Sequence, residues 1–168
     1  ALIRIAQEYG VSSRIVEAVV EVNASQKARM VKKIKDALGN SLNNKKIAVL
    51  GLTFKPGTDD MREAPSLTIL PSLLDKGAKI IAHDPEGIEE AKKLLPSKIE
   101  YGETIEKTVF EADAIILMTE WNQYRGLDLT KLKKMMKGNI FISQFSWYLK
   151  KSLPSFLGGF KNEIREIK

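Results

Sequence analysis

The sequence predicts an α/β fold: a doubly wound, mostly parallel Rossmann-like sheet preceded by a long helical segment. Three observations carry that prediction. Ile47, Ala48, Val49, Leu50 and Leu52 form a near-continuous apolar run, as do Ala114 to Met118, and such runs suit parallel strands covered by helices on both faces. Strand-like and helix-like patterns alternate from residue 45 to residue 142, as a chain of βαβ units requires. A polar turn cluster, Gly39, Asn40, Ser41, Asn43 and Asn44, separates this alternation from an N-terminal stretch with helical periodicity alone.

Residues 1–38 read as helical, broken once at Gly10. Val11 and Val16 have the spacing of a hydrophobic staple around an N-cap at Ser12. Behind it, Ile15, Val16, Val19, Val20, Met30, Val31, Ile34 and Leu38 recur at helical intervals, which makes this second helix long and amphipathic. The turn cluster divides the chain into a helical segment, residues 1–40, and an α/β domain, residues 41–168. The first strand runs to Leu52, with Gly51 permitting close backbone approach. Phe54 and Lys55 fall at its carboxyl end, the edge where open α/β sheets bind ligands.

Pro56 and Gly57 stop that strand, and Pro65 opens a helix as its first residue. Leu67 to Leu74 continue it, with Pro71 expected to kink the helix or delay its start. Lys79 to His83 form a second strand closed by Asp84 and Pro85, and Ile88 to Leu95 a short amphipathic helix. A short strand near Ile99 to Tyr101, a helix from Thr104 to Glu111, the apolar strand Ala114 to Met118, a helix from Leu129 to Met136 and a strand from Ile140 to Ile142 complete the alternation. From Leu149 onward Pro154, Gly158 and Gly159 occur without a period, and no element is assigned.

Composition narrows the function classes. At 168 residues, 43% hydrophobic and 29% charged, the chain reads as a soluble globular protein with a real core. No apolar run approaches the roughly 20 residues needed to cross a bilayer, and the N-terminus lacks the layout of a signal peptide, so cytoplasm is the expected compartment. With no cysteine and a single histidine, disulfides, thiol nucleophiles and histidine-rich metal sites are excluded. The net charge of +6 raises the question of nucleic acid. The lysines, however, are scattered among glutamates along helical segments, which argues against a nucleic-acid partner.

The chemistry concentrates in the loop after the first strand. Lys55 is placed to meet a phosphate, and Thr58, Asp59, Asp60, Arg62 and Glu63 crowd the approach to the next helix. Two readings of these charges stand side by side: a ligand site, or a solvated βα loop in which acids favour a helix N-terminus and Arg62 pairs with one of them. A dinucleotide site of the ordinary kind would need G-x-G-x-x-G here, so that backbone could approach the pyrophosphate, but the loop reads G-L-T-F-K-P.

The stretch G-L-T-F-K-P-G-T-D-D-M-R-E-A-P-S, from Gly51 to Ser66, resembles the signature of the C-terminal domain of the nucleotide-sugar 6-dehydrogenases, most closely those that act on UDP-glucose. V-E-V-N-A-S-Q-K, Val20 to Lys27, is similar to the long central helix through which these enzymes dimerise. A-H-D-P, Ala82 to Pro85, and T-E-W-N-Q-Y-R-G-L-D-L, Thr119 to Leu129, extend the likeness over roughly residues 1–142. The resemblance implies that residues 41–168 bind a UDP-sugar, that Phe54 and Lys55 contact it, and that Arg62 reaches NAD bound mainly by another domain. It also implies a homodimer. Trp121 is expected to be a buried strand-end aromatic, and His83 to cap a strand end.

Two departures qualify what the resemblance implies. The family's catalytic cysteine lies in a G-G-S-C motif that this sequence does not contain, so no catalytic residue is assigned and the chain is expected to be inactive alone. At Ser143 to Tyr148, S-Q-F-S-W-Y replaces an Asp-Gly-Arg-Asn-like segment, and Phe145 stands where an arginine would meet the substrate. The leading expectation is therefore the C-terminal part of an NAD-dependent enzyme oxidising UDP-glucose to UDP-glucuronate. The alternative is a non-catalytic dimerisation or nucleotide-binding module.

Overall fold

The structure, a computed structural model, describes residues 14–143. Gly10, the cap at Ser12, Phe145 and the tail from Leu149 lie outside the described residues. Eleven elements follow in order: α1 (Arg14–Ala37), β1 (Lys46–Leu50), α2 (Ser66–Asp75), β2 (Lys79–His83), α3 (Ile88–Leu94), β3 (Glu100–Tyr101), α4 (Ile105–Val109), β4 (Ala114–Leu117), α5 (Asn122–Arg125), α6 (Leu129–Met135) and β5 (Ile140–Ser143). The five strands make one sheet in the order β3-β2-β1-β4-β5, and every pairing is parallel. The chain winds outward from β1 through β2 to β3, then returns to the other side of β1 for β4 and β5. That reversal puts the topological switch point between β1 and β4.

Alternation along the strands builds two cores. Ile47 and Val49 of β1 face a cluster with Ile80, Ala82, Ala114, Ile116 and the inner faces of α1 and α2. Ala48 and Leu50 face the other cluster, with Ile115, Leu117 and Phe141, covered by Val109, Tyr124, Leu129 and Leu132. Both faces being covered, the strands read as unbroken apolar runs. In α2, Pro71 sits inside the helix without ending it, and Pro65 already has helical backbone angles. The helix begins at Ser66, one residue after the expected start, with Pro65 as its N-cap. The one-turn α5 was not anticipated, because four residues are too few to show a period.

α1 is about 36 Å long at about 1.5 Å per residue, and it changes character along its length. Met30, Val31 and Ile34 are buried in the first core, whereas Ile15, Val19, Val20 and Val22 are 52–82% exposed and belong to neither core cluster.

The strand ends are tied together by one carboxylate. Asp84, just beyond β2, is 1% exposed. Its Oδ2 accepts from the backbone N–H of Leu52 (2.6 Å), the backbone N–H and hydroxyl of Thr53 (3.2 and 3.3 Å) and the indole Nε1 of Trp121 (3.2 Å). Its Oδ1 accepts from the N–H groups of Glu86 and Gly87, at 3.1 and 2.8 Å. The loops after β1, β2 and β4 are thereby joined at a single buried anion. Gly51 makes the approach possible: it lies at φ +91°, and a Cβ there would stand 2.5 Å from Thr119.

A second buried pair backs this edge. The Tyr124 hydroxyl donates to the His83 carbonyl oxygen (2.9 Å), so its oxygen receives the proton of His83 Nδ1 (2.8 Å) and fixes that tautomer. Burial holds the imidazole below its ordinary value of 6.5, with the carboxylates of Asp84 and Glu106 pulling the other way.

Two outcomes are expected. Asp84→Asn turns an amide N–H₂ toward backbone donors and lowers unfolding free energy by about 2–4 kcal/mol, measurable by urea denaturation. His83 binds its proton less readily folded than unfolded, so its contribution to stability is complete above 6.5 and is lost as pH falls through 6.5 toward the lowered value. The urea midpoint is therefore expected to fall from about pH 7 to about pH 5, and to fall less in His83→Gln.

Candidate functional site

The loop from Gly51 to Pro65 emerges at the switch point, and its shape is set by its own hydrogen bonds. Ser66, buried at the start of α2, donates its hydroxyl to Leu52 O (2.5 Å), and Thr119 donates to Thr53 O (2.6 Å). Phe54 N donates to Asp60 O (2.9 Å), closing the loop on itself, and the Thr58 hydroxyl accepts from Asp60 N (3.1 Å). Glu63 is held at φ +59°, a left-handed conformation that costs a non-glycine residue on the order of 1 kcal/mol. The loop is built, not slack.

These constraints decide where the candidate residues point. Phe54 is 54% exposed and is not a core residue. It forms one wall of a cavity of about 490 Å³ together with Glu63, Pro65 and Ile69, and the facing wall is α1, through Asn23, Gln26, Lys27 and Met30. Lys55 is exposed next to Phe54 in sequence but does not line this cleft.

Arg62 is placed elsewhere. It lines a shallower hollow of about 420 Å³ with Thr58, Asp59, Asp60, Met61, Glu90 and Leu94. Its guanidinium grips Asp60 through two bonds, Nε to Oδ1 at 3.0 Å and Nη2 to Oδ2 at 2.8 Å. The side-chain bond from Arg62 holds the Asp60 carboxyl down at about 2. Asp60 uses two of the five guanidinium N–H donors, and the side chain is 90% exposed, so a further anion can be met without breaking the pair. The local ion pair and a ligand contact are thus compatible for the same arginine. Phe54 and Arg62 do not share a cavity.

Sequence reasoning missed the contribution of α1. Asn23, Gln26, Lys27 and Met30 are spaced i, i+3, i+4 and i+7, a single helical face. The signal was present: polar residues replace apolar ones on the stripe that carries Met30 and Ile34 into the core. Asp84 was read only as closing its strand, yet it ties together the loops after β1, β2 and β4. In a dinucleotide fold an acid near this position takes a ribose hydroxyl. Here both Asp84 oxygens are turned inward, Oδ2 occupied by the N–H groups of the first βα turn and Oδ1 by those of Glu86 and Gly87 in the turn after β2. Trp121, expected to be a buried strand-end aromatic, is instead half-buried in the loop after β4, at the N-cap of α5, where its indole bonds the same acid. Among the described residues no group of His, Asp or Glu is arranged to hold a metal ion, and no helix is long and apolar enough to cross a membrane.

Residues 48–148 match the model of the UDP-glucose/GDP-mannose dehydrogenase family, UDP binding domain. The UDP-glucose 6-dehydrogenase of Rhizobium meliloti is 41% identical over 150 residues, 89% of this chain and 34% of that protein. UDP-glucose 6-dehydrogenase TuaD of Bacillus subtilis is 37% identical over 142 residues, 84% of this chain and 31% of that protein. Among solved structures, a UDP-glucose dehydrogenase from the hyperthermophilic archaeon Pyrobaculum islandicum superposes with a TM-score of 0.71 at 32% identity, covering 84% of this chain and 34% of that one. The chain spans about a third of the length of these relatives. A switch-point loop of this shape, an inward-turned β2 acid and these likenesses agree, and the chain belongs to the UDP-glucose/GDP-mannose dehydrogenase family, of which it carries the UDP binding domain.

Proposed function

We propose that this chain is the nucleotide-sugar half of an NAD-dependent UDP-glucose 6-dehydrogenase, a cytoplasmic enzyme whose complete form oxidises UDP-glucose to UDP-glucuronate. The observation that carries this reading is Phe54, a large apolar side chain kept half in solvent at the switch point by the hydrogen-bonded loop around it. An exposed aromatic at the carboxyl edge of a parallel sheet, beside a cleft lined by a few polar groups, is the arrangement of a small-molecule site. Phe54 offers a face to the ligand, and Lys55 offers a point charge to its diphosphate.

NAD does not fit this sheet as a primary site. The turn after β1 has no G-x-G-x-x-G, and the β2 acid is consumed by internal bonds. What the chain offers a cofactor is Arg62, whose remaining donors face solvent and suit an anionic group presented by another domain. The hydride chemistry belongs to that cofactor. Binding and orientation of the sugar nucleotide belong to this chain.

The exposed stripe of Ile15, Val19, Val20 and Val22 fits a second copy of the chain, giving a homodimer along α1. The reading as a pure dimerisation module draws on the same stripe, and ligand binding separates the two.

Calorimetric titration of the chain with UDP-glucose is expected to show binding that weakens at least tenfold in Lys55→Ala; the absence of heat with millimolar ligand would leave the dimerisation module as the better reading. In sedimentation, the wild type is expected to run as a dimer and Val19→Glu as a monomer. A wild-type monomer at high concentration would remove the dimer.

A further inference from the structure

α1 presents one continuous face to the rest of the molecule. At its C-terminal end that face is Met30 and Ile34, 1% and 0% exposed in the core. One turn earlier the same face carries Gln26, then Asn23, and both line the cleft opposite Phe54. A helix face turned toward protein is ordinarily apolar throughout. Here it turns polar where the facing wall is a cavity of about 490 Å³ rather than packed side chains.

Gln26 also carries an unmet demand. Its Oε1 is buried and accepts no hydrogen bond, and among the described residues only the Tyr101 hydroxyl shares that condition. Tyr101 is on the edge strand β3 and does not line the cleft. Leaving an amide oxygen buried and unpaired costs folding free energy, so its presence at a cleft needs a cause. The terminal torsion of glutamine is broad, so a small turn of the amide brings Oε1 to the cleft surface without leaving a rotamer well.

We infer that Gln26 is a ligand-reading residue, its Oε1 accepting a hydrogen bond from a hydroxyl or imide N–H of the bound nucleotide sugar. This rests on the reading of the cleft as a nucleotide-sugar half-site and assigns a task within it. The chemistry restricts the partner. Oε1 is an acceptor, and a diphosphate at neutral pH offers only acceptors, so Gln26 reads a part of the ligand other than the one Lys55 meets. The donors on a UDP-sugar are the hexose hydroxyls, the ribose hydroxyls and the uracil N3–H. A site that pairs a buried polar group with such a donor discriminates strongly against a ligand lacking it, because the group is then left unpaired again.

The test compares the wild-type chain with Gln26→Met, which keeps the length of the side chain and removes its polar atoms. Titrations use UDP-glucose and UDP, with the melting temperature of the free chain measured for each variant. Gln26→Met is expected to melt no lower than wild type and to bind UDP-glucose at least tenfold more weakly. A loss confined to UDP-glucose assigns the donor to the hexose; an equal loss with UDP assigns it to the nucleoside. In wild type labelled with nitrogen-15, the Gln26 side-chain amide resonances are expected to shift on adding UDP-glucose, a readout that needs no variant. Unchanged affinity in Gln26→Met, or an amide that does not shift, overturns the assignment while leaving the cleft reading intact. A wild-type chain that binds neither ligand overturns both.

Discussion

Everything at the ligand edge of this molecule hangs on the Asp84 carboxylate. A buried anion is expensive unless each lone pair is met, and here six donors from three segments meet it: Leu52 and Thr53 in the turn after β1, Glu86 and Gly87 on the approach to α3, and Trp121 after β4. Because those donors are mostly backbone N–H groups, the carboxylate fixes main chain as well as side chains. The loop that carries Phe54 and Lys55 starts from a point that cannot drift. Gly51 and Gly87 complete the arrangement, since a Cβ at either would collide with Thr119 or Thr53, the residues that crowd around the same acid.

The same bond decides what kind of ligand the edge accepts. A Rossmann sheet uses the N–H groups of its first turn for a pyrophosphate and its β2 acid for a ribose. In this chain those two sets of groups are bonded to each other, which cancels both at once. The sheet keeps the parallel order and switch point of a dinucleotide fold while losing its means of holding a dinucleotide. What the edge offers instead lies outward, at the exposed side chains of Phe54 and Lys55 beyond the turn, with α1 facing Phe54 across the cleft. This explains why the signature stretch is long: its later residues, Thr58 to Arg62, build the loop that presents its earlier ones.

Much of this fold was legible from the chain. The apolar runs at Ile47 to Leu50 and Ala114 to Leu117 identified the central strands because burial on both faces leaves no room for polar alternation. Pro65 located the start of α2 to within one residue, for a local steric reason. The site was legible only in part. The exposed place of Phe54 and Lys55 at the carboxyl edge followed from position relative to β1, a short-range relation. The tie through Asp84 spans 31 to 37 residues to Leu52, Thr53 and Trp121, and periodicity says nothing about such partners. Likewise α5 is a single turn anchored by the Tyr124 hydroxyl on His83, a tertiary cause with no local signature.

α1 shows why a helix can be read correctly as an element and incompletely as a participant. Its apolar residues suggested pairing with another chain, and the exposed stripe at Ile15 to Val22 keeps that reading in play. But a helix of 24 residues has more than one face and more than one neighbour. Its last turns are core, its middle faces the cleft and its first turns face outward. Since Met30 and Ile34 are fixed in the core by packing that tolerates little movement, the orientation of the Asn23 and Gln26 face is fixed with them. The cleft wall is thus positioned from the core side by α1 and from the sheet side by Asp84. A ligand lying between the two meets groups whose placement was settled by folding, which is the condition under which a few polar contacts suffice for selectivity.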